Sequence, residues 1–186
     1  MKKITVIGSG NVGGSIAQRL ADAGGVNIVL VDRLGDLARG KSLDLYESLP
    51  LIGIDTDIVG TSNYEETAES DVVIITAGIP RKSKMTRNDL LDSNAEIVAE
   101  CVSAAIEYSP NSILLIVTNP VCAMSHVAYI ASKFPKQRVI GLSGLLDTSR
   151  MRAFIATEIG VSVESIQALV IGDLATGHFF QKYGSQ

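Results

Sequence analysis

Three groups of residues have the types and spacing to do chemistry. Gly8-Ser9-Gly10-Asn11-Val12-Gly13 follows the short run Ile4-Thr5-Val6-Ile7 and precedes a helical pattern, and Asp32 closes the next β-rich run. Glycines at these places let backbone approach a pyrophosphate, whose charge is met by the free N–H groups and dipole of a helix N-terminus. Asp32 is then placed to accept from ribose hydroxyls and to repel a 2′-phosphate, favouring NAD over NADP, with Arg33 beside it as a cation of opposite tendency. The plainer alternative is a tight strand-to-helix turn and a solvated carboxylate. The second group follows Thr76-Ala77-Gly78, where Arg81, Lys82, Lys84 and Arg87 put four cations into seven residues, either as a solvated loop or as the lining of an anion pocket. Thr118-Asn119-Pro120 ends another apolar run, and Pro120 biases Asn119 away from helical geometry, although Asn-Pro is also a common turn starter. In the third group, Asp147 and Arg150 stand three apart on one helical face. They read either as an N-cap with an i,i+3 ion pair or as a clamp in which the Arg150 guanidinium takes a carboxylate.

The elements that must position these groups are legible as alternating patterns. Residues 4–7, 27–31, 58–60, 72–75, 113–117 and 139–141 are β-rich and apolar throughout, as strands covered on both faces are. Between them Val12, Ile16, Leu20 and Ala23 fall near helical spacing, as do Val98, Cys101, Val102 and Ala105. Repeated β-α-β order predicts an α/β fold with a parallel, doubly wound sheet of the Rossmann type. Ligands of such sheets sit beyond the carboxyl ends of the strands, which is where the glycine turn, Asp32, the cationic loop and Asn119 all fall. A helix is expected over 147–159 and one more strand over 165–171, after which residues 172–186 show no clear periodicity. This divides the chain into a dinucleotide-binding domain at 1–145, the start of a second domain at 146–171, and an atypical tail at 172–186.

Composition narrows the function classes. With 186 residues, 46% hydrophobic and 19% charged, the chain has the make-up of an ordinary soluble domain. Sixteen Lys plus Arg against 20 Asp plus Glu leave a net charge of −4, which argues against nucleic acid as a partner. The two cysteines, Cys101 and Cys122, have no Cys or His neighbour at metal-ligand spacing, so neither a disulfide framework nor a zinc site is expected, and a reducing cytoplasm is the simplest compartment. No apolar run approaches the ~18 residues of a membrane span, and the start of the chain reads as a first strand rather than a signal peptide. His126 reads as a surface or packing residue.

Taken in order, GSGNVG at 8–13, VD at 31–32, GKSLDLYES at 40–48, TAGIPRKSKMTRNDLL at 76–91, VTNPV at 117–121 and GLSGLLDTSRMRAFIA at 141–156 resemble the malate dehydrogenases of the lactate/malate dehydrogenase family. The resemblance implies NAD as cofactor, malate and oxaloacetate as substrates, hydride transfer as the reaction and a homo-oligomer as the working form. It implies that Gly8, Ser9, Gly10, Asn11, Val12, Gly13, Asp32, Asn94, Val117, Thr118 and Asn119 bind the cofactor. Arg81 corresponds to the residue on the distal carboxylate, Arg87 to the mobile-loop Arg that polarises the carbonyl, and Arg150 to the clamp on the proximal carboxylate. Asn119 also touches substrate, and Asp147 orients the family's proton-transferring histidine. Ungapped register puts Leu174, which cannot carry a proton, at that histidine position, and a four-residue insertion would bring His178 there as the base. The family runs to roughly 300 residues, so the sequence is expected to stop short of most of the substrate domain. A catalytically inactive NAD-binding fragment or an interaction module is the alternative reading.

Overall fold

The computed structural model describes residues 1–80 and 85–171, without the side chain of Arg87. Six parallel strands form one sheet in the order β3-β2-β1-β4-β5-β6. These are β1 (Lys2–Ile7), β2 (Val26–Val31), β3 (Ile58–Thr61), β4 (Val72–Ile75), β5 (Ile113–Ile116) and β6 (Val139–Gly141). This is the doubly wound order whose direction reverses between β1 and β4. The strand sequences dictate it, because both faces are apolar. Val6, Ile28, Leu30 and Ile74 pack on one face with Ala17 and Ala21 of α1 (Asn11–Ala23). Ile7, Val29, Val31, Val73, Ile75, Leu114 and Ile116 pack on the other with α3 (Arg87–Tyr108) and α4 (Val121–Ser132). A remaining helix, α2 (Gly35–Ser48), lies against the edge strand β3.

Register sets the site. Ile7 of β1 pairs with Val31 of β2 and Ile75 of β4, so the residues that follow them leave the sheet side by side. The ladder runs one step further through Gly8 N–H to Val31 C=O (2.7 Å), Asp32 N–H to Thr61 C=O (3.0 Å), Thr76 N–H to Ile7 C=O (2.8 Å) and Val117 N–H to Ile75 C=O (2.9 Å).

One expectation about elements is borne out and one corrected. The helix marked by Val12, Ile16, Leu20 and Ala23 forms, but its buried residues are Gly13, Ala17 and Ala21, and Val12 is 54% exposed. The helix lies too close to the sheet at Gly13 for any large side chain, so the smallest residues face inward and Ile16 and Leu20 flank them. On α3, by contrast, Val98, Val102 and Ala105 are fully buried as their spacing predicts. The strand expected over 165–171 does not form. Its backbone is taken by α5 (Leu145–Ile159), whose Thr148 hydroxyl accepts from Val170 N–H (2.9 Å) and whose Arg152 Nε donates to Ile166 C=O (2.8 Å).

The chain divides into two compact units, Met1–Gly141, which holds the whole sheet, and Leu142–Gln186, whose described part is α5 and the segment packed back on it. Among the described residues no helix is long and apolar enough to cross a membrane.

Candidate functional site

The carboxyl edge of the sheet begins with the turn from β1 into α1. Gly8 takes φ +102°, a left-handed conformation, and a Cβ there would stand 2.8 Å from both Ala77 N and Thr76 Oγ1. At Gly13 a Cβ would lie 1.8 Å from Gly8 O, so α1 starts in direct backbone contact with the turn. Gly10 is the N-cap, in extended geometry and with no side chain to cap the first turn. It is exposed, and a Cβ on it would meet nothing within 4 Å. No side chain of Gly10 therefore obstructs or caps the start of α1, which suits a diphosphate.

Ser9 fixes this turn to Asp32. Asp32 Oδ2 accepts from Ser9 N–H (2.7 Å) and from Ser9 Oγ (2.8 Å), while Oδ1 accepts from Leu34 N–H (3.0 Å). Partial burial pushes the Asp32 carboxyl up, but those three hydrogen bonds and the neighbouring Arg33 outweigh it and hold the group below the usual carboxylate range. It is an anion at neutral pH. Each carboxylate oxygen has more than one acceptor site, so the half-buried carboxylate keeps capacity for a ribose hydroxyl. The residues present thus fit both ends of an adenosine diphosphate.

The other side of the edge is cross-braced. Asn94, 2% exposed on α3, accepts from Ile79 N–H (2.8 Å) at Oδ1 and donates from Nδ2 to Asn119 C=O (2.7 Å), joining the loops after β4 and β5. Thr118 is buried and donates to Ala77 C=O (2.7 Å), and Asn119 itself is exposed ahead of the cis Asn119–Pro120 bond. Gly8 through Gly13, Asp32, Asn94, Val117, Thr118 and Asn119 therefore share one edge.

Three sequence candidates lie outside this cluster's description. Arg81 belongs to residues 81–84, and Leu174 and His178 to residues 172–186, all outside the described residues, while Arg87 is the first residue of α3, within the Thr86–Asp89 capping box. Asp147 and Arg150 belong to the second unit, where Arg150 NH1 donates to Asp147 Oδ1 at 3.4 Å. The N-cap reading of Asp147 is corrected. α5 begins two residues earlier than its apolar pattern suggests, so Gly144 is the N-cap and Asp147 sits in the first turn. His126 is exposed on α4 and leans on the Tyr129 ring, with 6.4 Å between centroids.

Sequence reasoning missed two residues that shape the turn. Thr76 donates from Oγ1 to Ile7 C=O and Gly8 C=O, both at 3.0 Å, and fills the space beneath the glycines. Lys41 of α2 reaches over to the turn's carbonyls. The signal for Thr76 was its place one residue beyond β4; for Lys41 there was only a cation within the segment 40–48.

A parallel doubly wound sheet with an uncapped glycine turn at its reversal point and an acid at the end of β2 defines a dinucleotide-binding domain. Residues 2–141 match the family model described as lactate/malate dehydrogenase, NAD binding domain, and the chain belongs to that family, with NAD as its cofactor. It is 52% identical over 171 residues to a malate dehydrogenase of Chloroherpeton thalassium, covering 91% of this chain and 55% of the relative. Among solved structures, it is similar to the malate dehydrogenase of Salinibacter ruber (TM-score 0.85, 46% identity, 92% of this chain and 54% of that one). It is also similar to the lactate dehydrogenase of Cryptosporidium parvum complexed with lactic acid and NAD (TM-score 0.88, 38% identity, 92% and 54%). The chain spans about half the length of the relatives it matches.

Proposed function

We propose that this chain is the NAD-binding part of an NAD-dependent oxidoreductase that interconverts malate and oxaloacetate. The observation that carries the reading is the lock between Ser9 and Asp32, which ties the diphosphate turn to the ribose-binding acid in one rigid unit. NAD, when bound, supplies the hydride acceptor and donor. The chain's own groups would do the rest. The α1 N-terminus holds the diphosphate, Asp32 accepts from the ribose hydroxyls, and Val117, Thr118 and Asn119 line the nicotinamide end, with Asn119 also reaching substrate. Asn94 holds Asn119 in place through its carbonyl.

In this reading Arg81 takes the distal carboxylate, Arg150 the proximal one and Arg87 the carbonyl oxygen, since a dicarboxylate in a closing pocket needs fixed cations. Asp147 orients the base and His178 supplies it. Substrate, turnover and a homo-oligomeric working form are part of the same proposal. A second reading, an NAD-binding module without turnover, is favoured by Leu174, a side chain that cannot carry a proton, at the register position of the family's histidine.

Steady-state oxidation of NADH with oxaloacetate, run beside His178→Ala, separates the two. Turnover that falls roughly 10²–10⁴-fold in the variant supports the enzyme with His178 as base. Nucleotide binding with no turnover in the parent chain establishes the module instead.

A further inference from the structure

Lys41 is half-buried on α2, and its ammonium donates to Ser9 C=O and, at 3.4 Å, to Gly10 C=O. It gets there because α2 lies close on the edge strand at Gly60 of β3, where a Cβ would stand 2.2 Å from Ala38 O and 2.5 Å from Ser42 Oγ. One residue before Ser42, Lys41 is thereby held within reach of the turn between β1 and α1. Carbonyl and N–H point in opposite directions across a trans peptide. Drawing the Ser9 carbonyl toward α2 therefore turns the Gly10 N–H the other way, while the Gly10 carbonyl, and with it the Asn11 N–H, is aligned by the helix itself through Gly14 N–H (2.9 Å). The same cation polarises both peptides, which makes those N–H groups stronger donors. Ser9 is then fixed from two directions, by Asp32 at its N–H and hydroxyl and by Lys41 at its carbonyl.

We propose that Lys41 is a positioning residue for the cofactor's diphosphate, acting through the backbone of the glycine turn rather than as a ligand of its own. The inference rests on the NAD-binding reading and makes it specific, since a residue that works on two peptides should affect phosphate-bearing ligands alone.

Lys41→Met keeps the stem and removes the charge. In the full chain we expect its dissociation constants for NAD and ADP-ribose, measured by titration calorimetry, to rise about tenfold, the effect of losing one charge-assisted contact. Adenosine, which has no phosphate, should bind it as it binds the parent chain when followed by heteronuclear NMR. The ligand-free variant should show displaced amide resonances for Gly10 and Asn11, and Lys41→Arg should restore most of the affinity. Unchanged ADP-ribose binding in Lys41→Met overturns the proposal, and so does an equal loss of adenosine, which would mark Lys41 as a general support of the fold. A parent chain that binds ADP-ribose no more tightly than adenosine brings down the cofactor reading itself.

Discussion

Asp32 carries two tasks that are usually described as one. In the proposed function its carboxylate takes the ribose hydroxyls, and it already holds the turn through Ser9 and the chain direction after β2 through Leu34 N–H. Asp32→Ala should therefore weaken NAD binding by about tenfold to a hundredfold, since charge-assisted hydrogen bonds are each worth roughly 1.5–3 kcal/mol. It should also destabilise the ligand-free chain. The sign of the pH dependence follows from the depressed carboxyl. Stability due to a carboxylate held below its unfolded value of about 3.9 is fully present above that value and is lost as pH falls through the folded one. Urea midpoints of parent and variant should thus differ at neutral pH and converge below about pH 4. A constant difference across that range would show that the Asp32 charge adds nothing to the fold. The half-buried Tyr64 hydroxyl and Cys101 thiol are both pushed up by burial, so both stay protonated at neutral pH and add no charge beside Asp32.

Helix α1 shows how an element, rather than a side chain, makes the site. Its first turn rests on Gly8 O, and Gly13→Ala would put a methyl 1.8 Å from that oxygen, where backbone must move. The expected outcome is a loss of diphosphate binding out of proportion to the size of the change, with about 1–3 kcal/mol of stability lost to the overpacking, read by calorimetry and by urea unfolding. Binding and stability close to those of the parent chain would mean that the helix is free to shift and does not set the turn. The same contact explains what could be read in advance. The strands were legible because each is apolar on both faces, and α3 because Val98, Val102 and Ala105 really are its inner face. The inner face of α1 was not, because a close approach selects Gly13, Ala17 and Ala21 by size, and a hydrophobic pattern marks the larger flanking residues instead. Residues 165–171 misled for a related reason. Their β-rich composition specifies what the chain prefers, while Thr148 and Arg152 decide what it bonds to. Of the site, the glycine turn and Asp32 were visible from local spacing. Lys41 and Thr76 were not, because each meets the turn across a separation of 31 residues or more that only the sheet order closes.

At the level of the molecule, binding and folding are one equilibrium. The groups that would hold NAD come from the ends of β1, β2, β4 and β5 and from the start of α1, so the site exists only when the sheet is assembled in register. A ligand that binds this state and not the unfolded chain stabilises it by RT ln(1 + [L]/Kd), about 2.7 kcal/mol at a hundred times Kd. For a chain of this size that is a rise in melting temperature of roughly 5–10 °C. The rise should appear with NAD and with ADP-ribose, grow with the logarithm of ligand concentration, and shrink in Asp32→Ala. Hydrogen exchange should show where the stabilisation falls, with amides of β1, β4 and the first turn of α1 gaining protection together. The prediction is independent of Arg81, Arg150 and His178, so it holds whether or not the chain turns over substrate. A melting temperature that stays fixed as NAD is raised past any reasonable dissociation constant would mean that this edge of the sheet has the family's form without its affinity.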